Sequence, residues 1–265
     1  METSKFSLIT NLNIFAVAIL FCPIFVIHLI MRNNQNYCYY PADYYVDAQW
    51  SIDKVDLEKA WNICTGSSNV KVGVIDSGVD GNHIDLSKNI NTSLSYCFNP
   101  NLSSGLQDNL GHGTHVAGII GAKGNNGYGI SGAALDIDLI SLRVAGTYGG
   151  VYDGALADAV SYATTNSIPI LNISICGETF DSDLFDAIFN YPGLVVCAAG
   201  NYPGGHDIDN PLHRTYPACF LGSNIIAVGN STSNDTKAYS SNYGQMSVDL
   251  FAPGEDIYRD RKSVV

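Results

Sequence analysis

Short apolar runs alternate with helical patterns from residue 70 to residue 251. Leu156, Ala159 and Val160 recur at helical spacing, whereas the run at 194–198 is short and continuously apolar, which is typical of a strand buried on both faces. Such strands, alternating with helices, predict an α/β fold with a mostly parallel central sheet between two layers of helices. The predicted strands cover residues 70–75, 138–144, 169–175, 194–198, 225–229 and 248–251, and the predicted helices cover 55–63, 114–121, 155–165 and 183–191.

The beginning of the chain has a different pattern. Residues 14–31 form an apolar run of 18 residues that is interrupted only by Pro23 and His28. This length nearly spans a bilayer, and no small-x-small cleavage site follows before Arg32. We predict that residues 1–33 are a signal anchor, with a cleaved signal peptide as the alternative, and that the Tyr-rich residues 34–48 are a linker. The protein is then membrane-anchored or secreted, with the domain that follows the linker on the non-cytoplasmic side.

Composition and charge narrow the classes of function. The 25 acidic and 13 basic residues give a net charge of −12, and no basic stripe is present that could neutralise phosphates, so nucleic-acid binding is not expected. A charged fraction of 14% and 26 glycines suit an α/β enzyme with tight turns. We predict a monomer without an organic cofactor.

The cysteine pattern is compatible with disulfide bonds and with buried free thiols. Six cysteines lie outside the apolar run, and none of them forms a C-x-x-C pair, which disfavours a thiolate metal site. In an oxidising compartment, three disulfides are possible among fifteen pairings. Cys176 and Cys197 lie in apolar, strand-like runs and fit buried thiols equally well.

Three polar residues follow or flank predicted elements at points where chemistry collects in parallel sheets. Asp76 follows the apolar run 72–75, His112 lies between two glycines before a small-residue helix, and Asn201 follows the run 194–198. Each has a plainer alternative, since Asp76 fits a turn or a helix cap, Asn201 fits a turn, and a lone histidine is usually structural. The amide of Asn201 is also able to donate to a developing oxyanion, an interaction on which acyl-transfer enzymes depend.

In this order, the segments V-I-D-S-G, H-G-T-H-V-A-G and A-A-G-N resemble those of the subtilisin-like serine peptidases. With A-P-G at 252–254, the resemblance covers residues 49–254. It implies a three-layer subtilisin-like fold and a serine endopeptidase that hydrolyses polypeptides through an acyl-enzyme. Carried over, Asp76 orients and charge-balances His112, His112 acts as general base and then as general acid, and Asn201 binds the oxyanion. His115 is then structural.

The same resemblance implies a substrate cleft and a calcium site. An extended substrate would be held as an added strand, although an ordinary edge strand and turn remain the alternative. The cleft residues are Gly149, Gly150 and Val151 on one side and Ser174, Ile175, Cys176 and Gly177 on the other. The Ca²⁺ ligands would be the side chains of Asp85 and Asn126, the carbonyls of Gly124, Tyr128 and Ile130, and Gln49. Lys123 beside this loop argues against calcium, and a calcium-free turn stays open.

One part of the family pattern is missing. The nucleophile of these peptidases lies in a G-T-S-M-A type segment beyond A-P-G, but the twelve residues after Pro253 contain no Gly-x-Ser. We therefore expect a C-terminally truncated fragment that is inactive as it stands, with a partial peptidase domain over 49–259. Residues 260–265 match one reading frame of a common sequencing adapter, and we predict that they are not native. A pseudoprotease or peptide-binding module, and a remnant that is not expressed, are the alternatives.

Overall fold

Seven parallel strands form the central sheet in the computed structural model, which describes residues 7–8 and 39–258. The sheet has the order β3-β4-β2-β5-β7-β8-β9, and its pairs are all parallel. This arrangement confirms the predicted fold class. The strands are β1 (Ser7–Leu8), β2 (Gly66–Asp76), β3 (Tyr96–Cys97), β4 (Asp136–Arg143), β5 (Ile170–Ile173), β6 (Ile175–Cys176), β7 (Leu194–Ala198), β8 (Ile225–Ser231) and β9 (Leu250–Pro253).

Helices cover both faces of the sheet. The helices are α1 (Trp50–Lys54), α2 (Leu57–Trp61), α3 (His112–Gly121), α4 (Ala155–Thr165) and α5 (Ser182–Phe189). Successive strand residues face opposite sides, so Val74 shares a core with Val116 of α3, whereas Ile75 shares the other core with Val160 of α4. All four side chains are fully buried, and each contributes about 1.5–3 kcal/mol of transfer free energy. The two cores hold the sheet in a fixed position between the helices.

Most predicted elements are present with ends shifted by a few residues, as in β2 and β9, and two are interrupted. One helix was expected over 55–63, but the structure has two short helices, α1 and α2. They are separated at Asp56, whose φ of 55° lies in the left-handed region. The strand expected over 169–175 is divided into β5 and β6 at the buried Ser174. Helix α4 and strand β7 have the predicted bounds.

Residues 39–48 lie in the predicted linker, and in the structure they pack on the domain. The N–H of Ala42 donates to Oδ1 of Asn125 at 2.9 Å, and the N–H of Tyr45 donates to the carbonyl of Gly129 at 2.9 Å. The predicted membrane segment at 14–31 and the tail at 260–265 lie outside the described residues. Across the described ranges, no helix is long and apolar enough to cross a membrane.

Candidate active site

Asp76 and His112 meet at the carboxyl end of β2. Nδ1 of His112 lies 2.7 Å from Oδ1 of Asp76, whose side chain is fully buried, while the His112 side chain is 12% exposed. The N–H of Ser77 also donates to Oδ1 of Asp76 at 2.6 Å. A carboxylate on Nδ1 favours the tautomer with the proton on that nitrogen, and it leaves Nε2 as the basic atom.

Glycine at position 113 allows this contact. A Cβ at Gly113 would lie 2.1 Å from the carbonyl oxygen of Gly78 and 3.0 Å from Cβ of Asp76. No larger residue fits between helix α3 and the end of β2. Gly111, which precedes the helix, has a φ of 75°, a conformation that favours glycine. The two glycines that flank His112 therefore place its imidazole against the carboxylate.

Asp108 organises the loop before α3, although none of the sequence motifs includes it. Its Oδ1 accepts hydrogen bonds from the hydroxyl of Ser77 at 2.8 Å and from the N–H of Gly111 at 2.9 Å. Its Oδ2 accepts from the N–H and the hydroxyl of Thr114, at 2.8 and 2.7 Å. Asp108 thus caps α3 and ties the helix to the turn that follows β2. The only sequence signal was a carboxylate shortly before a helix.

Arg143 supports the same loop from the neighbouring strand. It ends β4, lies opposite Asp76 in the parallel register, and is 1% exposed. Its guanidinium donates to the carbonyl of Gln107 at 2.7 Å and to Oδ1 of Asn109 at 2.8 Å. These bonds satisfy a buried cation and hold the segment that carries Asp108.

Asn201 follows β7 at the same edge of the sheet, with β5 between β7 and β2. Gly200 has a φ of 99°, and Asn201 forms an antiparallel bridge with Ser241. The fully buried Asn242 holds this turn, because its backbone N–H donates to the carbonyl of Gly200 and its Nδ2 donates to the carbonyl of Ala199, both at 3.0 Å. The structure therefore brings Asp76 and His112 into contact and places Asn201 two strands away along the same edge.

The predicted substrate segments flank the end of β2. Residues 149–151 follow β4 and residues 174–177 follow β5, the two strands on either side of β2. The N–H of Gly146 donates to the carbonyl of Gly150 at 2.8 Å, which closes a turn, and Gly177 exchanges two backbone hydrogen bonds with Tyr216. The backbone of β1 pairs antiparallel with β6, with Ser7 opposite Cys176. In the structure, β1 thus lies as a two-residue antiparallel strand beside Ile175 and Cys176.

The predicted metal ligands surround the loop at 124–131. Asp85 is 1% exposed, and its Oδ1 and Oδ2 accept from Nδ2 of Asn126 at 2.7 Å and from the N–H of Ile130 at 2.9 Å. Gln49 is bound through its amide to the backbone of Ser131. Gly124 and Tyr128 lie in the same loop. Lys123 pairs with Asp136 at 2.9 Å, so its charge is balanced by that carboxylate.

The structure adds Asp43 to this loop. Asp43 is 4% exposed, and its carboxylate accepts from the N–H groups of Asn125, Asn126 and Gly127 at 2.9–3.1 Å and from the hydroxyl of Ser131 at 2.6 Å. It lies in the predicted linker, where no hydrophobic pattern pointed to it. Within the described part of the chain, no group of three or more His, Cys, Asp or Glu side chains is arranged for a metal.

The described cysteines are free thiols. They are Cys64, Cys97, Cys176, Cys197 and Cys219. Burial, with a smaller contribution from the charge of Glu178, raises the pKa of Cys176 to about 12. Burial also raises the pKa of Cys197 strongly. Both thiols are therefore protonated and unreactive near neutral pH.

A carboxylate on Nδ1 of an imidazole, at the carboxyl edge of a parallel α/β sheet, is an arrangement in which histidine enzymes activate a nucleophile. The Subtilase family model, Peptidase_S8, matches residues 67–264, and the chain belongs to this family of serine peptidases.

Individual relatives agree with this assignment. Thermitase of Thermoactinomyces vulgaris is 35% identical over 224 residues, which are 83% of this chain and 75% of thermitase. The minor extracellular protease Epr of Bacillus subtilis is 34% identical over 214 residues, which are 79% of this chain and 30% of Epr. A solved protease structure from Pseudoalteromonas arctica PAMC 21717 has a TM-score of 0.71 and 28% identity, and the match covers 82% of this chain and 73% of that one.

Proposed function

We propose that this chain carries the acid, base and oxyanion groups of a serine endopeptidase. The observation that carries the proposal is the 2.7 Å contact between Nδ1 of His112 and the buried carboxylate of Asp76. A histidine in this arrangement is a general base with its tautomer fixed. The placement of Asn201 at the same edge of the sheet, and the family to which the chain belongs, support the same reaction.

In the proposed reaction, Nε2 of His112 takes the proton of a serine hydroxyl while the serine oxygen bonds to the scissile carbonyl carbon. The amide of Asn201 donates to the resulting oxyanion, and the carboxylate of Asp76 stabilises the imidazolium. The imidazolium then gives its proton to the leaving amine as the C–N bond breaks. Water, activated by the same histidine, releases the acyl group. The residues between Pro253 and Val265 contain no Gly-x-Ser, so the proposed reaction needs a serine other than those in this segment.

The proposed substrate is an extended polypeptide that lies between residues 149–151 and 174–177. The pairing of β1 with β6 supports this placement, since a backbone strand already binds along Ile175 and Cys176. Recognition through main-chain hydrogen bonds tolerates many side chains.

The test compares the 265-residue chain with the product of the native transcript read past Tyr258 to its stop codon, called the continued product below. Casein hydrolysis and covalent labelling by a fluorophosphonate report an activated serine. We expect both from the continued product and neither from the shorter chain. In the continued product, Asp76→Asn lowers kcat by about 10⁴-fold, and His112→Ala has an effect of at least similar size. Asp158→Asn, an exposed change on α4, leaves the rate unchanged. Full activity of the His112→Ala protein would refute the proposed base.

A second candidate is a pseudoprotease that binds peptides without cleaving them. The antiparallel pairing at β6 favours it, because that pairing needs no nucleophile. If the continued product binds an extended peptide but is neither labelled nor active, this candidate replaces the first.

We further propose that Ca²⁺ binds at the loop formed by residues 124–131. The side-chain oxygens of Asp43, Asp85 and Asn126 are of the kind that this hard cation requires, and they would exchange their present hydrogen bonds within the loop for the ion. The backbone carbonyls of Gly124, Tyr128 and Ile130 would complete the set. When bound, the ion would cross-link the segment at 39–48 to the domain and balance two carboxylates.

Calcium titration of the unfolding transition tests this proposal. Ca²⁺ at about 100 times its Kd raises the free energy of unfolding by about 2.7 kcal/mol. Asp43→Asn and Asp85→Asn reduce this stabilisation, whereas the exposed Asp47→Asn does not. If the unfolding temperature of the wild-type protein were the same with and without Ca²⁺, the proposed site would be refuted.

We also propose that the domain acts outside the cytoplasm, attached to a membrane or released from it. The apolar run at 14–31 supports this location, and so does the similarity to an extracellular protease. Digestion of intact cells with an added protease provides the test, because a domain on the outer face is degraded while cytoplasmic proteins are not.

A further inference from the structure

Two histidines lie side by side on the segment after β7. The ring centres of His206 and His213 are 4.3 Å apart, with an angle of 43° between the ring planes. Tyr202 stacks on His206 with nearly parallel planes, and their ring centres are also 4.3 Å apart. Both histidines are half-buried, so neighbouring groups hold the rings while solvent still reaches them. The proposed peptidase reaction uses neither residue.

The ring nitrogens of this pair are available as ligands. Within residues 39–258 they form no hydrogen bonds. Other histidines are already engaged, since Nδ1 of His83 accepts from the N–H of Asp85 and Nδ1 of His112 contacts Asp76. Two imidazoles in contact, with free nitrogens, are an arrangement that a bound cation stabilises.

The backbone holds both histidines in place. The N–H of His206 donates to Oδ1 of Asn242 at 3.0 Å, and its carbonyl accepts from the N–H of Tyr243 at 2.9 Å. The N–H of His213 donates to the carbonyl of Asn210 at 2.9 Å. Because these positions are fixed without a ligand, binding an ion costs less conformational entropy.

The charges around the pair are compatible with a cation. Asp207 and Asp209 lie on the same segment. Lys237 approaches Gly205, but its amino group donates to the carbonyls of Ala238 and Ser241, both at 3.0 Å. Arg214 follows His213 and is exposed. The segment from His206 to Arg214 thus carries two carboxylates and one exposed cation.

We propose that His206 and His213 form a two-histidine site for a borderline-soft divalent metal ion of the Zn²⁺ class. Imidazole nitrogen suits Zn²⁺, Cu²⁺ and Ni²⁺, whereas the oxygen donors of the 124–131 loop suit Ca²⁺. Metal–nitrogen bonds of about 2.1 Å with an angle of about 90–100° between them place the ring centres roughly 4.5–5 Å apart. The observed ring-centre separation of 4.3 Å is slightly below this range. Water fills the remaining coordination positions.

Calorimetric titration with Zn²⁺ tests the site in the 265-residue chain after removal of metal with a chelator. We expect that His206→Ala and His213→Ala each weaken Zn²⁺ binding by about tenfold or more, since each removes one of two protein ligands. Leu212→Ala, which alters an 85% exposed side chain between them, leaves the affinity unchanged. Equal affinity in both histidine variants and the wild-type chain would overturn the proposal. This test does not depend on peptidase activity.

A footprint on the wild-type chain avoids the risk that a variant fails to fold. Diethyl pyrocarbonate modifies accessible imidazole nitrogens, and mass spectrometry locates the modified residues. Zn²⁺ should slow the modification of His206 and His213 together, while Ca²⁺ should not. Modification of both residues at the same rate with and without Zn²⁺ would overturn the proposal.

Discussion

At the scale of single residues, contact between the acid and the base depends on the absence of a side chain. The backbone of α3 approaches the end of β2 so closely that Gly113 has no space for a Cβ. Gly118, in the same helix, has space, because a Cβ there would lie 3.5 Å from its nearest neighbour, Cδ1 of Ile130. Substitution of these two glycines by alanine in the same helix therefore compares a site without space for a Cβ with a site that has space.

We predict that Gly113→Ala destabilises the protein by about 2–4 kcal/mol, because the helix must move away from the carbonyl of Gly78. Gly118→Ala should be neutral or stabilising by up to about 1 kcal/mol, since alanine favours helix. Urea unfolding of both variants measures the difference. Equal stability of the two variants would contradict the packing described for α3.

The buried thiols predict how stability changes with pH. Burial raises the pKa of Cys176 to about 12, so this thiol stays protonated in the folded protein after it ionises in the unfolded chain. Its contribution to stability is complete below the unfolded pKa and is lost as the pH rises toward 12. Over that window each such thiol lowers the free energy of unfolding by about 1.4 kcal/mol per pH unit.

Urea unfolding at several values between pH 8 and pH 11 measures this slope. Cys176→Ser removes one ionising group, so its stability should fall less steeply with pH than that of the wild-type chain. Below pH 8 the two proteins should show parallel pH profiles. Identical slopes above pH 9 would show that Cys176 ionises equally in the folded and unfolded states.

At the scale of elements, the loop before α3 determines where the histidine lies. The residue before the helix is Gly111, which has no side chain to cap it, and the carboxylate of Asp108 supplies the cap instead. The same carboxylate binds Ser77, so one side chain connects the helix to the turn after β2.

We predict that Asp108→Ala lowers the free energy of unfolding by about 2–4 kcal/mol, because it leaves several donors of the loop and helix without an acceptor. Asp108→Asn retains one acceptor oxygen and should have a smaller effect. Gln107→Ala changes an exposed side chain of the same loop and should lie within about 0.5 kcal/mol of the wild-type value. Thermal or urea unfolding distinguishes these values.

Periodicity predicted the elements well where burial is uniform and less well where the backbone changes direction. Helix α4 and strand β7 follow from local patterns, because each buries one continuous set of apolar residues. The break at Asp56 and the division at Ser174 depend on backbone conformation and on tertiary contacts. No period in the sequence reports such features.

At the scale of the whole molecule, parallel strand order explains why distant motifs share one edge. The sequence motifs indicated Asp76, His112 and Asn201, and the sheet order brings the ends of β2 and β7 to the same side. The supporting residues Asp43 and Asp108 were not predicted, because their roles arise from contacts with loops elsewhere in the fold. The motifs therefore predicted the candidate catalytic residues. The residues that hold their loops in place are determined by long-range hydrogen bonds, which the motifs do not contain.

The central claim is that this chain supplies the acid, base and oxyanion groups of a serine peptidase. Sequencing the native transcript across Tyr258 and downstream to the first stop codon tests it most directly. We predict that native sequence replaces residues 260–265 and continues with a Gly-Thr-Ser segment followed by a helix of small residues. A native transcript that encodes residues 260–265 and then stops would contradict this claim, because His112 would have no Gly-x-Ser serine of this segment to activate.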